Sequence, residues 1–180
     1  METTSIGSDA ALLARPDGRR LLYERHFDGV FRYVAARIGR QAAEDVVADT
    51  FAIAFRRRAA FDRSRESALP WLIGIATNLL RSRRRAERRH LAGFADRLGA
   101  SEIDDTIERV DAAARREAVL RAVRRLPVGE REAFLVHALA GLDGAELGVA
   151  LGISPSAAAV RLHRARTKLR AALAITGEEE

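Results

Sequence analysis

The chain has 180 residues, 48% of them hydrophobic, which is enough for one packed domain or two small ones and too apolar for global disorder. It contains no cysteine, so disulfides, thiolate metal sites and cysteine nucleophiles are excluded. The net charge is +6 and the pI about 10.9, and all but one of the 31 basic residues are arginine, the side chain best suited to gripping phosphates and base edges.

The opening METTSIGSDAALLARPDG does not read as a signal peptide, and no apolar run approaches the length of a membrane span. These features point to a cytoplasmic protein, with residues 1–16 expected to form a flexible N-terminus. No alternation of the β type has useful length. The first strong helix is expected over about Leu21–Ile38, where Phe27, Val30, Phe31, Val34, Ala35 and Ile38 recur at helical spacing, with Gly39 placed to end it. A second helix, about Gln41–Phe61, would bury Ala43, Val47, Thr50, Phe51 and Ala54. The polar stretch DRSRES, Asp62–Ser67, reads as a loop. Pro70 then suits the first turn of a third helix whose apolar face is Leu72, Ile75, Ala76, Leu79 and Leu80.

Near the face opposite that stripe the third helix carries Trp71, Asn78, Arg81, Arg84, Arg85 and Arg88. An aromatic, an amide and a run of arginines are what is needed to hold phosphates and to stack on or hydrogen-bond unpaired bases. RSRRRAERRH, Arg81–His90, holds six arginines against one glutamate, and Asp96–Asp111 holds six acids against two arginines. Basic blocks on either side of an acidic segment imply two polyanion-binding modules joined by a linker. Helical period returns over Val110–Leu126, stops at Pro127, and resumes over about Gly129–Leu139.

The segment Gly141–Leu173 reads as a short helix, a tight turn and a long basic helix. Gly152 can take the positive φ that ends the first, and Ser154 is a good N-cap for the second. Ala158, Leu162, Ala165, Leu169 and Leu173 form a single apolar stripe. The remaining surface presents Arg161, His163, Arg164, Arg166, Lys168 and Arg170 with no acid among them. Such a helix suits a DNA major groove better than the mixed-charge surface of an ordinary bundle. The four histidines lack metal-ligand spacing, Glu44 and Asp45 point apart on a helix, and no phosphate loop or nucleophile elbow is present. No enzyme, cofactor or metal site is therefore expected.

The runs AAEDVVADTF (Ala42–Phe51) and WLIGIATNLL (Trp71–Leu80) with its arginine tail resemble region two of bacterial sigma-70-type sigma factors. LPVGEREAFLVHALAGLDGAELGVALGIS followed by VRLHRAR resembles region four of the small extracytoplasmic-function group. The resemblance implies an all-α fold of two small helical domains: region two over 17–91, an acidic linker over 92–108, region four over 109–175 and an acidic tail over 176–180. It also implies a promoter-specificity subunit. Glu44, Asp45 and Asp49 would dock on core RNA polymerase. Arg63, Ser64, Trp71, Asn78, Arg81, Arg84, Arg85 and Arg88 would capture the melted minus-ten element of promoter DNA. Ser156, Ala157, Arg161, Arg164, Arg166 and Lys168 would contact the minus-thirty-five element, and an anti-sigma protein is the implied regulatory partner.

The chain departs from the family pattern at several positions. Alanines stand before Glu44 and at Ala48, where the family often has an acid and a glutamine. Ser156, Ala157, Ala158 and Ala159 replace the run that usually opens the recognition helix, so base reading is expected to rest on Ser156, Arg161 and Arg164. Gly148 replaces an alanine, at about 1 kcal/mol of helix propensity. The alternatives are a free-standing helix-turn-helix regulator, which would bind DNA tightly without polymerase, and a helical adaptor that binds no nucleic acid.

Overall fold

The computed structural model describes residues 8–15, 18–92 and 110–176, and side-chain surroundings for these apart from 88–92, 110–116 and 175–176. Among the described residues there are eight α-helices and no strand: α1 Asp9–Ala14, α2 Gly18–Ile38, α3 Arg40–Arg56, α4 Leu69–Ala92, α5 Val110–Arg125, α6 Val128–Ala140, α7 Gly144–Leu151 and α8 Pro155–Thr176. A short 3-10 turn, Arg58–Ala60, follows α3. The chain divides into two compact units, Met1–Ala95 and Asp96–Glu180. The linker expected over 92–108 falls, beyond Ala92, outside the described residues, as does the tail from Gly177. No single helix among the described residues is long and apolar enough to cross a membrane.

In the first unit α2 packs on α1, α3 and α4, and α3 packs on α4. The expected face of α3 is the buried one: Ala43, Val47, Thr50, Phe51 and Ala54 all lie in the core together with Val46. The face of α2 differs from expectation. Leu22, His26, Val30, Tyr33 and Val34 are buried, whereas Phe27, Phe31, Ala35 and Ile38 are only half-buried. The helix is rotated so that Tyr33 can enter the core with its hydroxyl satisfied by Thr77 Oγ1 at 2.8 Å. Thr77 in turn donates to the carbonyl of Ile73, so a polar pair sits inside the apolar layer without an unmet donor. Correspondingly α4 buries Leu72, Ile73, Ala76, Thr77 and Leu80, leaving Ile75 and Leu79 half-buried.

Residues 9–14 of the expected flexible N-terminus are helical. Ser8 caps α1 by accepting from the Ala11 N–H at 3.3 Å, and Leu12 and Leu13 are buried. Burying each leucine contributes roughly 1.5–3 kcal/mol, enough to hold a helix of one and a half turns that would not persist alone.

In the second unit α8 packs on α5, α6 and α7. Ala122, Val123 and Leu126 meet Ala165 and Leu169 in one cluster, and Leu147, Ala150 and Leu151 of α7 are buried beside Ala158 and Leu162. The apolar stripe expected on α8 is the one observed, with Leu173 half-buried at its end. Gly152 takes φ 66°, and Ser154 Oγ accepts from the Ala157 N–H at 3.2 Å. Both ends of the tight turn are therefore made as their residue types dictate.

Candidate nucleic-acid interface

Two surfaces, one on each unit, present the chemistry that nucleic acid requires. The first begins at the loop after Phe61. Asp62 Oδ1 accepts from both the N–H and the hydroxyl of Ser64, at 3.1 and 2.7 Å, and Arg65 Nε lies 3.2 Å from Asp62 Oδ2. The Ser64 hydroxyl, its N–H and the Arg65 charge hold the Asp62 carboxyl below its usual range. Ser64 is thus occupied in shaping the loop, while Arg63 is exposed. At the base of the loop the Phe61 ring packs on Trp71 with centroids 5.4 Å apart, leaving Trp71 half-buried.

Along α4, Trp71, Asn78 and Arg85 follow at i, i+7 and i+14, which places them in one line opposite the core stripe. Asn78 and Arg85 are exposed, and Arg81 stands half-buried on the flank. Arg84 lies elsewhere: four residues beyond Leu80, it continues the line of the buried face. It is exposed there. The side chain of Arg88 lies outside the described residues. On α3, Glu44, Asp45 and Asp49 are exposed, with Asp45 and Asp49 on the outward side and Glu44 on its edge.

The second surface is α8 with its turn. Ser156, Val160, His163, Arg164 and Thr167 lie along the outward side, and all five are exposed. Ala157, half-buried, borders them. Arg161 is half-buried on the flank, its guanidinium folded over Gly129 at the start of α6, where an added Cβ would meet Nη1 at 3.3 Å. Two of the expected contact residues are committed within the unit. Lys168 Nζ donates to both carboxylate oxygens of Glu130, at 2.9 and 2.8 Å. Arg166 Nη2 lies 2.6 Å from His137 Nε2, and His137 Nδ1 lies 3.0 Å from the carbonyl of Leu142. The carbonyl requires a proton on Nδ1, which leaves Nε2 to accept from Arg166. Both residues are exposed and stand on the flanks of α8, where α6 can reach them.

Val160 is not singled out by apolar periodicity or by charge. It is 48% exposed, the largest apolar side chain on the outward face of α8, one turn from both Ser156 and Arg164. An exposed valine amid polar neighbours was the available signal, since such a group can pack on a thymine methyl. Gly148 also has a structural reason. A Cβ there would lie 2.9 Å from the Ile153 carbonyl oxygen and 3.2 Å from the Pro155 nitrogen, so glycine lets the turn close onto α7. Among the described residues no group of three His, Asp or Glu side chains is placed to hold a metal ion.

A helix-turn-helix with an exposed outward face, and a second helical unit bearing an aromatic–amide–arginine line behind a structured polar loop, carry the chemistry expected of a DNA-binding protein. Residues 22–90 match the Sigma-70 region 2 family, and residues 116–169 match Sigma-70, region 4. Over 156 residues the chain is 33% identical to the RNA polymerase sigma factor CarQ of Myxococcus xanthus, covering 83% of this chain and 85% of that one. It is 31% identical over 171 residues to the ECF RNA polymerase sigma factor SigL of Mycobacterium tuberculosis, covering 94% and 93%. The structure of CnrH in complex with the cytosolic domain of CnrY superposes with a TM-score of 0.63 at 26% identity, over 94% of this chain and 99% of that one. The chain belongs to the extracytoplasmic-function group of the sigma-70 family. It is a promoter-recognition subunit of RNA polymerase.

Proposed function

We propose that the two surfaces divide promoter recognition between them, with no reaction catalysed by this chain itself. On α4 the line Trp71, Asn78 and Arg85, with Arg63 in the preceding loop and Arg81 on the flank, captures the unpaired strand of the minus-ten element. Trp71 supplies a ring for stacking, Asn78 both donor and acceptor for an exposed base edge, and the arginines neutralise phosphates. On α8 Arg164 reads a base edge in the minus-thirty-five major groove, with Ser156 and Ala157 at the entering end and Val160 between them. Arg161, Arg166, Lys168 and Arg84 are better suited to holding or flanking these surfaces than to reading bases. Glu44, Asp45 and Asp49, exposed on α3, form the polymerase-docking face.

The observation that carries this reading is the line of Trp71, Asn78 and Arg85 on one exposed side of α4, behind a loop already ordered by Asp62. A free-standing regulator has no use for a surface that binds unpaired bases. The chain acts in the cytoplasm with core polymerase, and the relative CnrH, solved in complex with the cytosolic domain of CnrY, supports a protein inhibitor as its regulatory partner.

A promoter library randomised at both elements and transcribed by core polymerase with this chain tests the division. Asn78→Ala with Arg85→Ala is expected to flatten the preference at the downstream element alone, and Arg164→Ala that at the upstream element alone. Equal loss at both elements from either substitution would contradict the assignment.

A further inference from the structure

Asp9 is 1% exposed, a buried acid to which the reading above gives no part. Its carboxylate is saturated by three donors from two other parts of the unit. Oδ1 accepts from Arg25 Nη1 at 2.5 Å; Oδ2 accepts from His26 Nε2 at 2.7 Å and from the backbone N–H of Ala68 at 2.6 Å. Arg25 and His26 lie in the middle of α2. Ala68 closes the loop of Asp62–Ser67 and opens α4, accepting in its turn from the Leu72 N–H. One residue further on, Leu69 donates its N–H to Ser67 Oγ at 3.2 Å. The Cδ1 of Leu69 would lie 3.2 Å from a Cβ at Gly29, so α2 and the start of α4 are in close approach here.

From these contacts we propose that Asp9 is a positioning residue for minus-ten recognition, tying the exit of the loop to α2 so that Arg63 keeps a fixed relation to the Trp71–Asn78–Arg85 line of α4. This rests on the assignment of that loop and helix to the minus-ten strand. The physical case is one of constraint. The loop is ordered at its entry by the Asp62 contacts within it and by the packing of Phe61 on Trp71 of α4. At its exit a charge-assisted hydrogen bond from a distant helix fixes the backbone itself, and such bonds are shorter and stronger than neutral ones. His26 and Arg25 aim the carboxylate, so α1 is held in place as the strut of this joint rather than as an ordinary surface helix. Burial alone would push the Asp9 carboxyl up, but the donors from His26, Ala68 and Arg25 outweigh it and hold it at about 2, so the anchor is intact at any physiological pH. A displaced loop exit would misplace the loop arginine relative to the ring and the amide carried by α4, and small displacements of positioning groups are costly.

The test uses holoenzyme reconstituted from core polymerase and the full chain, with Asp9→Asn, which keeps the size of the side chain but cannot serve three donors. The probe is the promoter library randomised at both elements. The expected result is that preference at the minus-ten element falls by about tenfold, the scale of one lost charge-assisted hydrogen bond, while preference at the minus-thirty-five element is unchanged. Ser67→Ala, which removes the neighbouring cap without touching α1, is expected to move the same readout in the same direction by less, and it carries the test if Asp9→Asn fails to fold. A lower melting temperature with both preferences intact would make Asp9 purely structural and overturn the proposal. If the unsubstituted holoenzyme shows no minus-ten preference at all, the assignment of the loop fails and the proposal with it; intact preference in the unsubstituted protein and in both variants overturns the proposal alone.

Discussion

Lys168 of α8 grips the Glu130 carboxylate of α6 through both oxygens, at 2.9 and 2.8 Å, although it stands in a helix that carries four arginines and no acid. Glu130 keeps only 11% of its side chain exposed, so the pair braces the recognition helix from inside its own unit.

Lys168→Ala is therefore expected to act on stability rather than on DNA contact. It leaves a largely buried carboxylate without its counter-ion, which costs about 1–3 kcal/mol. Urea unfolding of the full chain should show a lower midpoint, while the slope of log affinity against log salt for minus-thirty-five duplex stays unchanged; a slope reduced by about one unit would instead place Lys168 on a phosphate.

Arg164→Ala should weaken discrimination at the minus-thirty-five element by about 1–3 kcal/mol, the range of a good base-edge contact. Val160→Ala should cost less, and its cost should vanish when thymines in that element are replaced by uracil, which lacks the methyl group. Holoenzyme affinities on the two duplexes check both statements. A Val160→Ala effect of equal size on uracil DNA would remove the methyl contact.

Gly148→Ala pits two effects against each other. Alanine gains about 1 kcal/mol of helix propensity, yet its Cβ would sit 2.9 Å from the backbone oxygen of Ile153, and backbone cannot swing aside as a flexible side chain does. Overpacking of this kind costs about 1–3 kcal/mol. Net destabilisation is expected, read as a lower unfolding midpoint and a weaker minus-thirty-five complex; a more stable variant would show that the turn has room to spare.

The Asp9 joint has a pH signature. The carboxyl titrates at 3.8 in an ordinary setting and at about 2 in the fold, so it favours the folded state wherever it is ionised. That contribution, roughly 2 kcal/mol from the size of the shift, is complete above about pH 4 and is lost as the pH falls through 2. The stability difference between the unsubstituted chain and Asp9→Asn should accordingly shrink between pH 5 and pH 2, as followed by urea unfolding at each pH. A difference that holds constant to pH 2 would contradict the assigned donors.

The parts of the fold that followed from sequence were those governed by apolar spacing and end signals. The stripe of α8, the Gly152 turn, the Ser154 cap and the face of α3 were all legible, because their side chains are purely apolar or act on their own backbone. What was missed involves polar groups satisfied at a distance. Tyr33 and Thr77 are buried 44 positions apart because each supplies the other's hydrogen bond, and no period on a single helix contains that information. The same holds for Asp9, whose partners lie 16, 17 and 59 positions away and turn an expected flexible segment into a docked helix. On the two candidate surfaces helical phase decides which of the expected side chains face outward and which are engaged by a neighbouring helix. Arg166 and Lys168 sit on the flanks of α8 within reach of His137 and Glu130, and Val160 takes an outward place that no charge pattern would have indicated.

Run-off transcription with purified core polymerase, with and without this chain, on a library of genomic promoter fragments shows whether the chain directs polymerase to promoters. Discrete transcripts that require the chain and whose upstream sequences share two separated elements are expected, with little sequence-specific DNA binding by the chain when polymerase is left out. Tight specific binding of the chain alone, with no chain-dependent transcript on any template, would contradict that expectation.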